Sequence, residues 1–268
     1  MEALASRRRV RVIKIALPEP ATHQSVIDAS EAAFRADPAI RMALLTHASH
    51  RTGLILPVAE IAEMAGARGI DVVVDAAHSV GQLDFKLPDL KAPFVGLNLH
   101  KWIGAPLGVG AIYVRKERLD AIDPDPAEDP QGTAITAKVH TGTPGYAAQL
   151  TVPAALAFQA AIGAQRREAR LKSLRNRWVQ PLRGLPQVQI LTPDDPRMYG
   201  AITSFRLRGR TSHDENVALA KALLDKHRIF AVHRDGLASG SCVRITPALA
   251  TRMEDLDALV AAIRALAA

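Results

Sequence analysis

The chain has 268 residues, 48% hydrophobic and 23% charged, a composition that excludes an intrinsically disordered protein. Aromatic residues make up only 4%, which argues against a protein that binds single-stranded nucleic acid by stacking bases on aromatic side chains. The net charge of +7 favours anionic ligands in general but does not choose among them.

The cysteine content and the apolar runs indicate the cellular compartment of the protein. Cys242 is the only cysteine, so an intramolecular disulfide and a cysteine-based zinc cluster are excluded. No apolar run approaches the length of a membrane-spanning helix. The basic segment 1–9 leads into 10–15, where apolar and charged residues alternate, unlike the apolar core of a signal peptide. We therefore expect a cytoplasmic protein that binds neither a metal nor a membrane.

The first half of the chain predicts alternating strands and helices. The run 72–74 is continuously β-branched and ends in Asp75, a pattern typical of a strand buried on both faces of a parallel sheet. Alternation of this kind predicts an α/β fold with a mostly parallel central sheet. In chain order we predict a strand at 10–17, a helix from Ser25 to Asp37, a strand at 42–45, a helix from Pro57 to Gly69, and strands at 72–75, 94–97 and 111–114.

The second half predicts a long connecting helix and a smaller α/β unit. The helix is expected from Tyr146 to Trp178 and is basic in its later turns. We expect a large domain over 1–178 and a small C-terminal domain over 179–268. The elements predicted after the helix are strands at 202–207, 229–233 and 243–245 and helices at 214–227 and from 254 onward.

Chemically distinctive side chains are concentrated between residues 72 and 115. Asp75 ends a predicted strand, His78 follows it closely, and Lys101 comes 26 positions after Asp75. Lys101 stands between an imidazole and an indole at the exit of an apolar strand. Partial burial there would lower its pKa and free an amine to form an imine with a carbonyl.

These residue types match the needs of pyridoxal phosphate. That cofactor requires a lysine for the Schiff base, a carboxylate beside the pyridine nitrogen, and donors for its phosphate and phenolic oxygens. Asn98 and His100 add donors beside Lys101. The competing interpretation of Asp75 is a helix-capping or turn acid, and His78 and Lys101 at this spacing make the cofactor role the stronger one.

Five stretches carry a resemblance to a known family. The sequence resembles the class V aminotransferase family of fold-type I pyridoxal-phosphate enzymes, and most of all its isopenicillin N epimerase-like branch. The resemblance spans most of the chain from about Val10 onward. The matching stretches are THASHRTGLILPVAEIA, VDAAHSVGQ, LNLHKWIGAPLGVGAIYVRKERL, the GT of HTGTPGYAAQLTVPAAL, and VRITP.

The resemblance implies roles for the residues of a cofactor site. Lys101 is implied to form the Schiff base and to move the α-proton of the substrate. Asp75 is the implied partner of the pyridine nitrogen, and His78 that of the phenolic oxygen. Asn98 and His100 match positions that hold the phosphate.

The resemblance also implies a substrate site and a homodimer. Arg244 matches the arginine that grips the α-carboxylate of the substrate, a bidentate task that suits guanidinium. Thr143 matches a residue that reaches the phosphate of the neighbouring subunit, so a homodimer with shared sites is expected. His50, on the substrate side, stands where related cysteine desulfurases carry Asn.

Two departures from the family bear on activity. Cys242 lies only two residues before Arg244, inside a predicted strand, so sulfur transfer of the desulfurase kind is not expected. Before the segment that matches Val10, family members have a phosphate-binding loop and a residue that stacks on the pyridine ring. We expect this chain to lack both and its large domain to be truncated at the N-terminus.

Several functional alternatives stay open. Epimerisation, transamination and elimination at the α-carbon of an amino acid or aminoacyl substrate all use the same lysine chemistry. The chain could instead be a non-catalytic remnant that does not bind cofactor tightly. The arginines and lysine between 166 and 177 are read as the solvated face of a helix, so no nucleic acid partner is expected.

Overall fold

A four-stranded sheet forms the first half of the fold. The structure is a computed structural model that describes residues 5–7, 10–128, 131–139 and 142–268. Strands β1 (Met42–Thr46), β2 (Asp71–Asp75) and β3 (Phe94–Asn98) are adjacent and parallel, and β4 (Gly110–Val114) runs antiparallel to β3. The predicted α/β fold with a mostly parallel sheet is thereby confirmed.

Two amphipathic helices pack against one face of this sheet. They are α1 (His23–Ala36) and α2 (Val58–Gly66), and their apolar residues join the core that contains Val74. Thr22 rather than Ser25 caps α1, and Ser25 completes a reciprocal capping box with Thr22. The predicted helix from Pro57 to Gly69 ends earlier, at Gly66, and continues as a turn to Gly69.

The prediction that β2 is buried on both faces is wrong for one face. Val72 and Val74 are buried, on the face that α2 covers. On the opposite face, Met42 and Leu44 of the neighbouring strand are 56% and 51% exposed. A β-branched run reports strand propensity, but burial of the second face requires a covering layer, which the described residues do not supply completely.

The predicted strand at 10–17 is also wrong. Residues 10–18 have no regular secondary structure, and Val10 and Ile13 are 44% and 45% exposed. A strand needs a hydrogen-bonded neighbour as well as an alternating pattern, and this segment pairs with no strand among the described residues.

The predicted long helix over 146–178 is divided into three. These are α3 (Tyr146–Leu150), α4 (Val152–Ile162) and α5 (Ala164–Val179). Pro153 lies in the first turn of α4, where its missing N–H is tolerated. Gly163, with φ +86°, then lets the chain turn by 75° into α5. No single helix in the described ranges is long and apolar enough to cross a membrane. Residues 146–162 and α5 reach that length and apolar composition only when they are taken together, across the 75° bend.

A second sheet organises the rest of the chain. Its strand order is β5-β6-β8-β7, and every neighbouring pair is antiparallel. The predicted strand at 229–233 begins later, at Val232. The elements are β5 (Val188–Ile190), β6 (Thr203–Leu207), α6 (His213–His227), β7 (Val232–Arg234), β8 (Cys242–Ile245) and α7 (Met253–Ala267).

Each sheet has its own hydrophobic core. The second core joins the second sheet to α6 and α7, and Leu174 and Trp178 of α5 are fully buried in it. Direct hydrogen bonds connect the two halves, among them Ile55 N–H to the carbonyl of Met198 at 3.0 Å. The domain division at 178/179 stays a prediction.

Candidate active site

A cleft opens at the carboxyl ends of the parallel strands, where the two halves of the fold meet. Ligands of open parallel sheets bind at this edge. The cleft has a volume of about 460 Å³. It is lined by Thr46, Ala48, His50, Asp75, Ala77, His78, Lys101, Arg234 and Arg244.

Asp75 and His78 are held by the tight turn that follows β2. The Oδ1 atom of Asp75 accepts the backbone N–H of Ala77 at 2.9 Å. Gln82, which is buried, donates to the carbonyl of His78 and accepts the N–H of Ala201 at 2.6 Å. This amide therefore fixes the His78 turn against the second half of the chain.

The turn that carries Lys101 is fixed by two close approaches. Gly81 has φ +80°, and a Cβ there would lie 2.9 Å from the Cβ of Trp102, so the two turns pack together only because residue 81 is glycine. On the other side, the buried Gln159 of α4 donates to the carbonyls of Trp102 and Ile103 at 3.2 and 3.0 Å.

The electrostatics of the cleft favour neutral bases. Burial lowers the pKa of Lys101, and Arg244 lowers it further, against the opposing effect of the Asp75 carboxylate. Burial, followed by the charge of Lys101, lowers the pKa of His78 to about 3. His78 is therefore a neutral imidazole at pH 7, and its Nδ1 has no hydrogen-bond partner among the described residues.

Two arginines from the second sheet face Lys101 across the cleft. Arg244, on β8, donates from Nη1 to the carbonyl of His50 at 2.7 Å. Burial and the nearby charge of Arg234 lower the pKa of Arg244 to about 10. The Nε atoms of both arginines lack hydrogen-bond partners in the described part of the chain, so this wall of the cleft is prepared for an anion.

His50 lies at the rim of the cleft and is exposed. Its ring is nearly parallel to that of His78, with centroids 6.5 Å apart and an interplanar angle of 20°. Burial, together with the charges of Arg51 and Arg234, lowers the pKa of His50. The structure thus brings together five of the predicted site residues: His50, Asp75, His78, Lys101 and Arg244.

Three predicted site residues do not line the cleft. Asn98 ends β3, and its Nδ2 lies 3.5 Å from Nε2 of His100. The Nδ1 atom of His100 lies 3.3 Å from the carbonyl of Val109, which ties this pair to the start of β4. Thr143 is exposed and is not among the residues that line the cleft. The phosphate-binding roles of these three residues stay predictions.

The cleft contains residues that the sequence reasoning missed. Arg234 is the most important, and the signal for it was a charged residue at the end of a predicted strand, close in sequence to Arg244. Thr46 is the first residue of the matching stretch THASHRTGLILPVAEIA. Gln82 ends the matching stretch VDAAHSVGQ. Outside the cleft lining, Gln82 and Gln159 support the site through tertiary contacts that no local pattern predicts.

Cys242 is fully buried in β8, and burial raises the pKa of its thiol. A nucleophilic cysteine is partly exposed and has a lowered pKa. The environment of the chain's only cysteine therefore agrees with the expectation that sulfur transfer through a cysteine is not its chemistry.

Comparison with known families agrees with this geometry. Residues 1–259 match the family model for aminotransferase class V. The chain belongs to this family. It is 32% identical to isopenicillin N epimerase of Streptomyces clavuligerus over 99% of its own length and 70% of that protein. It is 28% identical to isopenicillin N epimerase of Amycolatopsis lactamdurans, covering 82% of this chain and 58% of that one.

Solved structures show the same fold. A cysteine desulfurase from Escherichia coli superposes with a TM-score of 0.80 at 21% identity, covering 99% of this chain and 68% of that one. A lyase mutant with glycine covalently linked to its pyridoxal-phosphate cofactor matches with a TM-score of 0.70 at 25% identity, covering 88% of this chain and 62% of that one. The fold-type I prediction is confirmed, as is pyridoxal 5'-phosphate as the cofactor of the family.

The residues of the cleft fit that cofactor. The cleft holds a lysine with a lowered pKa for the imine, a carboxylate at a strand end that can accept from the pyridine nitrogen, and a neutral histidine with a free ring nitrogen for the phenolic oxygen. Lys101, Asp75 and His78 are those three groups. The unpaired guanidinium nitrogens opposite them suit a substrate carboxylate.

Proposed function

We propose that this chain is a pyridoxal-phosphate enzyme that acts at the α-carbon of an amino acid or aminoacyl substrate. The observation that carries the proposal is the cleft in which Asp75 at the end of β2, Lys101 in the turn after β3 and Arg244 within β8 converge. Similarity to isopenicillin N epimerase over 99% of the chain favours epimerisation over transamination or elimination as the first outcome to test.

Each residue of the cleft has a separate task towards the cofactor. Pyridoxal phosphate, when bound, supplies an electron sink that stabilises negative charge at the α-carbon. Asp75 would hold the pyridine nitrogen, and the free Nδ1 of His78 would hydrogen-bond the phenolic oxygen. Asn98 and His100 would hold the phosphate.

Lys101 is the acid–base group towards the substrate. Because its pKa is lowered, a larger fraction of its amine is neutral at pH 7 than for a solvated lysine, so Nζ can accept the α-proton and return it. Arg244 orients the substrate by binding its carboxylate, and Arg234 adds a second cationic group on the same wall.

The first prediction tests Lys101 directly. Incubation with pyridoxal phosphate followed by borohydride reduction is expected to attach the cofactor to Lys101, detected by peptide mass spectrometry. Lys101→Ala should abolish the adduct. It should also slow α-proton exchange at least 100-fold, the lower range for loss of a general acid–base. Exchange is followed by NMR in D2O with a panel of amino acids and dipeptides. Lys116→Ala removes an exposed lysine from the same matching stretch, and this variant should acquire the cofactor adduct as the wild type does.

Contrary results would distinguish a wrong assignment of Lys101 from a chain that is not catalytic. Labelling at other lysines would contradict the role of Lys101. Failure of the wild-type chain to retain any pyridoxal phosphate would instead favour a non-catalytic member of the family.

We also propose that the chain forms a homodimer with shared sites. Thr143 is exposed and precedes α3 and α4, whose outer faces carry Tyr146, Leu150 and Phe158, each more than 60% exposed. Contiguous exposed apolar side chains are typical of interfaces between proteins. Thr143 would then reach the cofactor phosphate of the neighbouring subunit. The cytoplasmic location stays a prediction.

A further inference from the structure

A second group of reactive side chains lies outside the cleft, where α6 begins and β7 ends. His213 is the first residue of α6, His233 lies within β7, and Asp235 follows that strand directly. One potential ligand atom from each of the three lies within 4.8 Å of the others. Two imidazoles and a carboxylate are ligands that Zn²⁺ and related divalent transition metals prefer.

The distances within this cluster suit a tetrahedral ion. The Nδ1 atom of His213 lies 3.0 Å from Oδ2 of Asp235, and Nε2 of His233 lies 3.7 Å from the same oxygen. Metal–ligand bonds of about 2.0–2.2 Å in a tetrahedral site place ligand atoms roughly 3.4 Å apart. The two observed separations bracket this value, and the remaining pair of ligand atoms, one from each imidazole, lies within 4.8 Å.

The backbone around the cluster is fixed by independent contacts. The hydroxyl of Ser241 donates to Oδ1 of Asp235 at 2.5 Å, and Nδ1 of His213 lies 3.1 Å from that oxygen and 3.0 Å from Oδ2. The N–H of Ser241 donates to the carbonyl of Thr211 at 2.7 Å, so the turn after β7 is tied to the start of α6. Arg206, which is buried, donates to Ser239 in the same turn. Hydrogen bonds of this kind orient metal ligands.

An ordinary surface ion pair does not account for all three residues. His213 and Asp235 have side chains 58% and 48% exposed, and an exposed pair contributes about 0–1 kcal/mol. That pair needs no second imidazole, yet the ring of His233 stands perpendicular to that of His213 with centroids 5.0 Å apart. Both rings thereby reach one carboxylate from two directions.

We propose that His213, His233 and Asp235 bind one Zn²⁺ ion or a related divalent transition metal, with water completing its coordination. The sequence led us to expect no metal site, because His213 and His233 are 20 residues apart and no short motif joins the three ligands. The proposal departs from that expectation. Three protein ligands leave one coordination position open. The proposal does not depend on pyridoxal-phosphate chemistry.

Calorimetric titration of the untagged, chelator-treated chain with ZnCl₂ tests the proposal, and the visible absorbance of bound Co²⁺ reports the ligand geometry. One ion per chain is expected. His233→Ala and Asp235→Asn should each weaken zinc binding at least 100-fold, and Ser241→Ala should weaken it about tenfold. Circular dichroism establishes that each variant is folded.

Two controls make the assignment specific. His227→Ala, on the same helix as His213, and His78→Ala, in the cleft, should both retain wild-type zinc affinity. The proposal is overturned if the chain binds no zinc saturably. It is equally overturned if binding survives Asp235→Asn or is lost in His78→Ala.

Discussion

At the scale of single residues, the cleft depends on charged groups that are kept in a partly dry environment. Lys101, Arg234 and Arg244 line the cleft together with one carboxylate among the described residues, that of Asp75. Burial lowers the pKa values of Lys101, His78 and Arg244, and the cations lower one another's further. Perturbed groups gathered in a cleft are typical of catalytic sites, where burial and neighbouring charges tune pKa values to the reaction.

The histidine next to the cleft predicts how stability depends on pH. His47 is buried, and burial lowers its pKa from 6.5 to about 4. Between those values the unfolded chain binds a proton that the folded chain does not, so the free energy of unfolding falls as pH drops from 6.5 to 4. The contribution of His47 is about 3 kcal/mol. Urea unfolding at several pH values should show a shallower acid loss for His47→Leu.

His78 contributes in the same direction, since its pKa is lowered to about 3, so the slope of His47→Leu is reduced but not abolished. An unchanged slope in His47→Leu would show that His47 does not titrate in this window.

At the scale of elements, the loop after β1 connects the two halves of the fold. Gly53 has φ +79°, and a Cβ at this position would lie 1.9 Å from the carbonyl oxygen of Ile202. The same loop presents the carbonyl of His50 to Arg244. Gly53→Ala is expected to lower the free energy of unfolding by about 3 kcal/mol, through a positive φ and a steric clash together. It should also weaken substrate binding, measured as a raised KM.

Gly69→Ala is the matched control for this loop. Gly69 also has a positive φ, +69°, but a Cβ there meets no atom within 4 Å. Denaturant unfolding should therefore show a loss of only about 1 kcal/mol, the cost of the backbone conformation. Equal losses in the two variants would mean that the contact with Ile202 is not a constraint on the loop.

The same elements explain what the sequence could and could not predict. Strand β2 and the turns at Asp75 and Lys101 are specified by local runs and motifs, so the centre of the site was predictable. The break at Gly163 and the lack of pairing at 10–17 depend on which neighbours are present in space. Arg234 enters the cleft because β7 pairs with β8, a long-range contact that a local pattern does not encode.

At the scale of the whole molecule, the distribution of apolar surface predicts the assembly. Ala148 and Val152 face the first core, whereas Leu150 and Phe158 on the outer side of the same two helices are 79% and 63% exposed. Apolar side chains on both sides of a helical segment require a second partner surface. A second copy satisfies this need with the same patch on each subunit.

Leu150→Glu is therefore expected to convert a dimer into a monomer, because it places a charge in the centre of an apolar contact. Size-exclusion chromatography with light scattering should show the molar mass halved. Phe230→Glu is the matched control: Phe230 is 78% exposed but lies beside the second sheet, so its variant should keep the wild-type mass. If the wild type is monomeric at micromolar concentration, or if only Phe230→Glu dissociates the dimer, the interface does not include α3 and α4. In the first case Thr143 cannot contribute to a neighbouring site. In the second, the shared sites would have to be sought beside Phe230.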